Sequence, residues 1–489
     1  MLKDLRSIIF IIGILLFPLS IIMTIPAITN LLLGYEWRGF IISSAITLFF
    51  SIVFSLLGKL SKLNSIKDFA VTSCTWCILP LFAAIPFLFE TSISYIDAVF
   101  ETISGITTTG ATVLNHLHKK SPGILLWRAM LSGIGGLGII TIGIIIFPSL
   151  KLAGPRNLLA SESSEIAKKK LPNVVHIIMH ITVIYCILIF LCILLYYFAG
   201  MSIFDAICHG ISTVSTGGFA NYDDSLAHYN SIKIETIAVT FMLLGACPFL
   251  TYLKITKRSY FYDEQIFYFI RIITISVLIT FIWFHFSSIC LNNKIDRDFT
   301  LFRYSIFSIV SLITSAGFII CDYGNWCFIA VFAFFLTLIG GCSGSTSGGI
   351  KIFRIVVLIK AVKAYFYDVV NPNKTNVVKF NGKILEDEEI KSIFIYFFLY
   401  ISIFTIATIA MSFISNADFI TSLSATSAAL TNSGPGFGIV IGPSGNYANF
   451  SNSTKLLLSL VMLIGRLEIL PVFAFLSSVF YGFSKNKTS

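Results

Sequence analysis

Short stretches rich in glycine, serine and threonine recur four times in an otherwise apolar sequence, and their oxygen atoms could coordinate a cation. They read TTTGAT at 107–112, VSTGGF at 214–219, TSAGF at 314–318 and TNSGPG at 431–436. Glycine adopts positive φ angles at no steric cost, so it allows successive carbonyl groups to point in one direction. Hydroxyl groups add further oxygen ligands. Because a ring of carbonyl oxygens can replace the hydration shell of a cation, the pattern predicts an ion filter.

The four turns recur at nearly even intervals and follow similar segments. Successive central glycines lie 107, 100 and 117 residues apart, for Gly110, Gly217, Gly317 and Gly434. Each turn follows about twelve amphipathic residues, too few to span a membrane but enough for a half-helix that enters it and stops. These segments begin at Tyr95, Ile203, Leu301 and Phe419. The carboxyl ends of four such pore helices would direct partial negative charge towards one place.

The rest of the chain supplies long apolar segments. Hydrophobic residues make up 56% and charged residues 12% of the 489, which excludes a soluble globular protein. A membrane span needs about 20 apolar residues. Ten candidates reach this length, at 7–33, 38–58, 69–90, 124–150, 174–200, 232–253, 264–291, 326–363, 392–415 and 454–483. Irregular backbone at membrane depth is tolerated only where protein buries it or it lines a water-filled cavity, so the four turns must meet around one axis.

The repeated unit is therefore a span, a short pore helix, an extended turn and a second span. We predict an all-α polytopic membrane protein in which four helix–pore loop–helix units surround one pore and two extra transmembrane helices precede them. The predicted boundaries are 1–66 for the two extra helices, 67–172 for repeat 1, 173–262 for repeat 2, 263–390 for repeat 3 with an intramembrane gating loop, and 391–489 for repeat 4.

The basic residues indicate a topology rather than a nucleic-acid partner. The chain carries a formal net charge of +10, but its 34 lysines and arginines fall mainly in short loops and do not gather with stacking aromatic residues. Most of them lie on the inner side if the N-terminus is cytoplasmic. The positive-inside rule then predicts that both termini face the cytoplasm.

Two further segments complete the pattern, GGCSGSTSGGIKIFR at 340–354 and GRLEILPV at 465–472. With the four turns and the two extra helices, they make the chain resemble the bacterial potassium uptake proteins of the Trk, Ktr and plant HKT superfamily, and within it the TrkH/TrkG type. The resemblance covers nearly the whole chain. It implies a multi-pass protein of the bacterial inner membrane, in which one chain forms one potassium-selective filter.

The resemblance also implies which residues bind potassium and which partners to expect. Filter carbonyls would come from the two residues before each glycine, and in sodium-carrying plant relatives serine replaces the first glycine, so Gly110 favours potassium. The family implies a homodimer that binds a cytosolic ring of nucleotide-binding TrkA-type subunits, with potassium as the transported ion and no organic cofactor. The implied filter set is Thr108, Thr109, Gly110, Ser215, Thr216, Gly217, Ser315, Ala316, Gly317, Asn432, Ser433 and Gly434.

A gate is implied next to the filter. The GGCSGSTSGG stretch is a poor helix interior, since each glycine costs about 1 kcal/mol relative to alanine, and the resemblance makes it an intramembrane loop that blocks the pore until it moves. An arginine at membrane depth is costly and points to function; by resemblance Arg466 faces the pore and contacts this loop. The predicted gating set is Gly340, Gly341, Ser343, Gly344, Ser345, Gly348, Gly349, Lys351 and Arg466.

These gating assignments have open alternatives. The glycine-rich stretch is also typical of a small-residue packing seam between helices. Arg466 could instead pair with Glu468 or extend to an interface, and Lys351 could likewise extend to the membrane surface.

Other polar residues receive structural interpretations. His209 is expected to pack behind the filter, and Asp97 and Asp205 lie near the starts of their pore helices, where a carboxylate favours the positive end of the helix dipole. Two polar segments, 155–172 and 351–391, are candidate docking surfaces for the cytosolic partner, or solvated connectors.

Two other classes of function remain as alternatives. A broken-helix secondary transporter that couples Na⁺ or H⁺ to the movement of a solute or of K⁺ would also show interrupted spans, usually in paired inverted halves, whereas these four units share one polarity. A membrane-embedded enzyme would need a nucleophile or a metal constellation, and the sequence offers neither, so we predict that the protein is not an enzyme. Whether potassium flux is channel-like or a symport with protons or sodium stays open.

Overall fold

The computed structural model describes residues 2–59, 65–146, 172–256, 263–286, 297–321, 327–373, 376–438, 440–442, 445–469 and 472–473. Helices dominate these ranges, and a small antiparallel hairpin of β1 (Lys379–Phe380) and β2 (Lys383–Ile384) accompanies them. The helices are α1 (Leu2–Ile22), α2 (Thr24–Leu32), α3 (Arg38–Leu57), α4 (Ser65–Ala83), α5 (Ile85–Glu90), α6 (Tyr95–Ile106), α7 (Pro122–Ile146), α8 (Pro172–Phe198), α9 (Ile203–Val214), α10 (Ile232–Ala246), α11 (Phe249–Thr256), α12 (Glu264–Phe286), α13 (Arg297–Ile313), α14 (Cys327–Ile339), α15 (Ile352–Val370), α16 (Asp387–Ser415), α17 (Phe419–Thr431) and α18 (Asn452–Arg466).

Most of the long helices are apolar enough to cross a membrane. Within the described ranges seven spans meet this condition by length and composition, or eight if the bent pair of α10 and α11 is counted as one. The seven are Arg6–Leu32, Arg38–Leu57, Ala70–Glu90, Pro122–Thr141, Val175–Phe198, Glu264–Phe286 and Asp387–Ser415. The prediction of an all-α polytopic membrane protein is confirmed.

Within the described ranges, the spans that follow the second and third turns are broken. The span predicted at 232–253 bends by 91° between α10 and α11. Pro248 explains the bend, because proline forces the preceding residue into an extended conformation, and Cys247 has a ψ of 155°. The span predicted at 326–363 is interrupted between Ile339 and Ile352, as the glycine content of that stretch predicts.

The last predicted span, 454–483, is also corrected. Helix α18 ends at Arg466, so this arginine lies at the carboxyl end of a helix and not in the middle of one. The next residues leave the helical conformation, since Glu468 and Ile469 have φ angles of 58° and 43°. Positive φ is disfavoured for β-branched isoleucine, and the surrounding packing must hold it there. The predicted residues 474–483 lie outside the described ranges.

The four short helices form where the sequence predicts them. Helices α6 and α9 match the predicted segments, α17 is one residue longer, and α13 begins at Arg297, four residues before the predicted start. Polar side chains cap three of them: Ser94, Ser202 and Asp418 each accept a hydrogen bond from a backbone N–H in the first turn. Such caps satisfy amide groups that would otherwise lack partners inside the protein.

Long helices surround each short helix. Helix α6 packs against α7 and α18, α9 against α7 and α8, α13 against α12 and α14, and α17 against α16 and α18. The first extra span, formed by α1 and α2, joins this assembly through contacts of α1 with α4 and of α2 with α7, and the second, α3, contacts α5. The result is that the residues after all four short helices are buried in the interior.

Candidate cation filter and intramembrane loop

The same backbone conformation follows all four short helices. Two residues before a glycine, the chain takes a left-handed φ of 52° at Thr108, 52° at Thr216, 55° at Ser315 and 55° at Asn432. The glycine then has a positive φ of 82° at Gly110, 70° at Gly218, 74° at Gly317 and 76° at Gly434. Left-handed conformations are uncommon outside glycine, so their recurrence at one position of four units marks a shared local structure.

The structure corrects the alignment of the second turn by one residue. Its left-handed residue is Thr216 and its positive-φ glycine is Gly218, whereas the sequence alignment used Ser215, Thr216 and Gly217. The hydrogen bonds agree, because the N–H of Gly217 bonds to the Ser212 carbonyl as the N–H of Thr109 bonds to that of Ser104. The equivalent residues are therefore Thr216, Gly217 and Gly218.

The four turns form a closed ring in which each glycine faces a carbonyl oxygen of the next turn. A Cβ atom on Gly110 would lie 2.4 Å from the oxygen of Gly217, and one on Gly218 would lie 1.9 Å from the oxygen of Ala316. The ring continues from Gly317 to the Ser433 oxygen at 2.4 Å and closes from Gly434 to the Thr109 oxygen at 2.5 Å. Any side chain there would displace a neighbouring backbone, so glycine is required at each corner.

The ring has an open mouth on one side. A cavity is lined by Gly110, Gly218, Gly317 and Gly434 and by the residues that follow them, including Asp223 and Tyr447. On the other side, the residue before each left-handed position donates its hydroxyl to a carbonyl of its own pore helix, for Thr107, Ser215, Thr314 and Thr431. The ring therefore connects a cavity to the protein interior.

The loop between α14 and α15, residues 340–351, lies against that interior side. The Thr216 hydroxyl donates to the Thr346 hydroxyl at 3.1 Å, and the N–H of Gly348 donates to the Ser315 hydroxyl at 2.7 Å. A Cβ on Gly348 would lie 2.0 Å from the carbonyl oxygen of Thr431, so the loop touches a third turn. Of the predicted gating residues, Gly348 is thus packed directly against the ring, and Thr346, which also contacts it, was not in the predicted set.

The bend between α10 and α11 supports the same loop. The N–H groups of Cys342 and Thr346 donate to the carbonyls of Ala246 and Gly245, and the N–H of Phe249 donates to the carbonyl of Gly344. Carbonyls freed at the bend thereby find partners in the loop, which satisfies polar backbone at membrane depth.

Arg466 joins the loop to the first repeat. It is 2% exposed, and its Nη1 donates to the Thr346 carbonyl at 2.8 Å while its Nη2 donates to the Gly135 carbonyl at 3.4 Å. The alternative in which it pairs with Glu468 is not the observed arrangement. Glu468 instead forms ion pairs with Arg354 and, at 3.6 Å, with Lys351.

Lys351 is buried and does not extend to the membrane surface. Its side chain is 5% exposed beside Glu468, and the guanidinium of Arg354 also stacks 4.0 Å from the ring centre of Tyr396. With Arg466, the group contains three cations and one carboxylate in the protein interior. This charge lies beside the loop, at the point where α15 begins.

Sequence reasoning missed a second buried ion pair. The Nε of Arg128 donates to Glu101 at 2.8 Å, and the two side chains are 2% and 0% exposed. The available signal was an acid within the amphipathic pore-helix segment and an arginine in the following span, since ionisable groups at membrane depth are functional candidates.

The other singled-out residues hold structural positions. His209 is fully buried, its Nδ1 lies 2.9 Å from the Asp205 carbonyl and its ring lies near Phe318, while Asp97 pairs with Lys455 at 2.6 Å. In the described part of the chain, histidine, cysteine and carboxylate side chains form no cluster of three or more that could hold a metal ion.

Part of one predicted docking segment is fixed to the helices. In the 351–391 segment, Asn381 exchanges hydrogen bonds with Glu264 at the start of α12, and Lys360 pairs with the same carboxylate. The other segment, 155–172, lies outside the described residues except for Pro172.

Comparisons with known proteins agree on one family. Residues 39–480 match the family model of TrkH, a cation transport protein. The chain is 36% identical to the potassium uptake protein TrkI of Halomonas elongata, over 84% of this chain and 83% of that one. It is 32% identical to TrkH of Salmonella typhimurium over 86% and 87% of the two chains. The crystal structure of the potassium transporter TrkH from Vibrio parahaemolyticus superimposes with a TM-score of 0.88 at 30% identity, covering 98% and 99% of the chains.

Proposed function

The chain belongs to the TrkH family of cation transport proteins, and we propose that its four turns form the potassium-selective filter through which it takes up potassium. Relatives of this similarity are named as potassium uptake proteins, so the protein is a transporter and not an enzyme. Its multi-pass membrane character agrees with this role.

The closed ring of turns carries the proposal. Each glycine leaves room for one carbonyl of the neighbouring turn, so the carbonyls of Thr109, Gly217, Ala316 and Ser433 hold matching places around one axis. A fixed set of carbonyl dipoles is suited to replace the hydration shell of K⁺. In this proposal, the residues of the four predicted turns bind potassium. In the second turn, these residues are Thr216, Gly217 and Gly218. The ring supports a pore over the secondary-transporter alternative.

The loop 340–351 acts as the gate in this proposal. It lies on the interior side of the ring, where its contacts with Thr216 and Ser315 obstruct the path that an ion leaving the filter would take. Arg466 holds the loop through the Thr346 carbonyl. A gate opens when these hydrogen bonds are exchanged for water, which a membrane cavity can supply.

The same proposal includes the arrangement of the repeats, the membrane location, the partners and the driving force for uptake. Repeats 67–172, 173–262, 263–390 and 391–489 each contribute one turn, and the two extra helices lie in 1–66. We place the protein in the bacterial inner membrane with both termini in the cytoplasm, as a homodimer that binds a TrkA-type nucleotide-binding ring. The membrane potential contributes about 2.3 kcal/mol per charge per 100 mV, which can drive potassium inward without symport.

Cation flux into sealed liposomes tests the filter. The purified protein, a Gly110→Ser variant and a Gly138→Ser variant are compared with K⁺ or Na⁺ as the sole permeant ion. A Cβ on Gly110 would lie 2.4 Å from the Gly217 carbonyl oxygen, whereas one on Gly138 in α7 would lie 3.5 Å from Trp76, an ordinary contact. We expect potassium preference in the wild type and in Gly138→Ser, and a reduced preference in Gly110→Ser. Equal flux of both ions through the wild type, or an unchanged ratio in Gly110→Ser, would contradict the proposal.

A further inference from the structure

A buried ion pair lies directly behind two of the four turns. We propose that Glu101 and Arg128 are positioning residues that hold the first and second turns at a fixed separation and so set the preference for potassium over sodium. This inference rests on the proposed filter function. It concerns two side chains that act through the backbone that follows each glycine, and Arg128 also lines the cavity at the mouth of the ring.

Glu101 fixes the exit of the first turn. It projects from pore helix α6, and its carboxylate accepts hydrogen bonds from the Thr112 hydroxyl at 2.9 and 3.1 Å and from the N–H of Val113 at 2.9 Å. These residues lie two and three places after Gly110. Since the carboxylate is held by several donors at once, it links the pore helix rigidly to the strand-like segment that leaves the ring.

Arg128 connects this carboxylate to the second turn. From helix α7, its Nε donates to Glu101 at 2.8 Å and its Nη1 donates to the Ala220 carbonyl at 2.9 Å. Its guanidinium also stacks 4.1 Å from the ring centre of Phe219. Phe219 and Ala220 are the two residues after Gly218. A planar guanidinium has its donors in a fixed fork, so these contacts define the distance between the two exits.

The other two turns are held differently. The residue seven places before the left-handed position is Glu101 in the first unit and His209, Ser308 and Ala425 in the others. In the third and fourth units, serine hydroxyls bond from the pore helix to the exit, from Ser311 to the Phe318 carbonyl at 2.7 Å and from Ser424 to the Phe437 carbonyl at 2.9 Å. Each of these side-chain bonds stays within one unit, whereas Arg128 joins two units. Other exits are joined by backbone hydrogen bonds, from the N–H of Ala227 to the Ile319 carbonyl and from the N–H of Tyr447 to the Thr112 carbonyl, both at 3.0 Å.

This difference makes the ion pair more than a packing feature. Charges buried at membrane depth are costly and are retained mainly where they serve function. Here the charges bind backbone groups on the Gly110 and Gly218 sides of the ring, next to the contact between Gly110 and the Gly217 carbonyl. Relaxing that contact would alter the space between carbonyls on one side of the ring, and sodium, the smaller ion, would gain most from the change.

The test compares neutralised pairs in liposomes. The double variant Glu101→Gln/Arg128→Gln removes both charges, which avoids leaving one charge unpaired in the interior. The matched control is Glu235→Gln/Arg303→Gln, because Arg303 and Glu235 form a similar pair at 2.7 Å between α10 and α13, outside the turns. Arg128→Lys is the conservative variant, since an ammonium lacks the fork that reaches Glu101 and Ala220 together. The ratio of K⁺ to Na⁺ flux is measured for protein that elutes as a single species.

We expect the ratio to fall by about fivefold in the Glu101/Arg128 double variant, the effect of about one lost hydrogen bond, and by less in Arg128→Lys, with no change in the Glu235/Arg303 control. If the double variant does not yield folded protein, Arg128→Lys alone decides. A wild-type ratio in the folded Glu101/Arg128 variants overturns the positioning role while leaving the filter proposal intact. Absence of potassium preference in the wild type overturns both. An equal loss in the control also overturns the proposal, since it would reflect general loosening of the protein.

Discussion

The ring of turns and the intramembrane loop are both buried and rich in glycine, but the loop depends more on individual hydrogen bonds. In the ring, glycines lie where a Cβ would be 1.9–2.5 Å from a neighbouring carbonyl, and the pattern repeats four times. The loop occurs once, and besides the close approach of Gly348 to the Thr431 carbonyl it is held by separate hydrogen bonds: Thr216 and Arg466 donate to Thr346, and the N–H of Gly348 donates to the Ser315 hydroxyl. Steric contact fixes one distance, whereas hydrogen bonds can be exchanged one by one. Changes in the ring should therefore alter selectivity, and changes in the loop should alter the fraction of open protein.

Placing alanine at two positive-φ glycines gives the largest contrast. Gly218 in the ring and Gly344 in the loop have φ angles of 70° and 78°, but a Cβ on Gly218 would lie 1.9 Å from the Ala316 oxygen and one on Gly344 would have no atom within 4 Å. Both substitutions bear the left-handed strain of about 1–2 kcal/mol. We expect Gly218→Ala to abolish potassium preference in the liposome assay and Gly344→Ala to retain it.

The two alanine variants distinguish the effect of steric contact from the effect of backbone strain. Loss of preference in both variants would mean that backbone strain and not the ring contact controls selectivity. Retention in both would mean that the ring can expand without consequence, and the distinction between ring and loop would fail.

The second prediction concerns flux and not selectivity. Arg466→Ala removes the hydrogen bonds to the carbonyls of Thr346 and Gly135. Since a hydrogen bond from a charged group contributes about 1.5–3 kcal/mol, the loop should leave its blocking position more often and potassium flux should rise by at least roughly tenfold. The K⁺/Na⁺ ratio should not change. The measurement is initial potassium flux per reconstituted protein.

Thr346→Val tests the neutral hydrogen bonds of the same loop residue. Valine keeps the shape of threonine but removes the hydroxyl that bonds to the carbonyl of Gly245 and accepts from Thr216. A neutral hydrogen bond contributes about 1 kcal/mol, so flux should rise by roughly fivefold, less than in Arg466→Ala. Unchanged or lower flux in both variants at normal protein levels would remove the loop from the gate.

The sequence predicted what depends on local chemistry and missed what depends on the assembled ring. The short helices α6 and α9 begin at the predicted residues because Ser94 and Ser202 cap them within the same segment. The register of the second turn was wrong by one residue, because Gly217 and Gly218 are adjacent and only the backbone conformation distinguishes them.

Contacts between residues far apart in the chain could not be predicted from the sequence. Arg466 was singled out as an arginine in an apolar segment, but its bond to Gly135 joins residues 331 positions apart and could not be predicted. The end of α18 at that arginine was missed because LEILPV continues the apolar pattern, and nothing local in it indicates the positive φ of Glu468 and Ile469.

The smallest effect should come from substituting the N-cap residue of a pore helix, which lies outside both the ring and the loop. Ser202 caps α9 by accepting a hydrogen bond from the N–H of Asp205 at 3.0 Å, whereas Ser231 occupies the same position before α10 without a side-chain capping bond. We expect Ser202→Ala to lower the free energy of unfolding by about 1 kcal/mol and Ser231→Ala to leave it unchanged, as measured by thermal unfolding in detergent. Both variants should keep the wild-type flux ratio. A shifted ratio in Ser202→Ala alone would mean that the carbonyl positions follow the pore helix, and the ring would then be less self-supporting than its glycine contacts indicate.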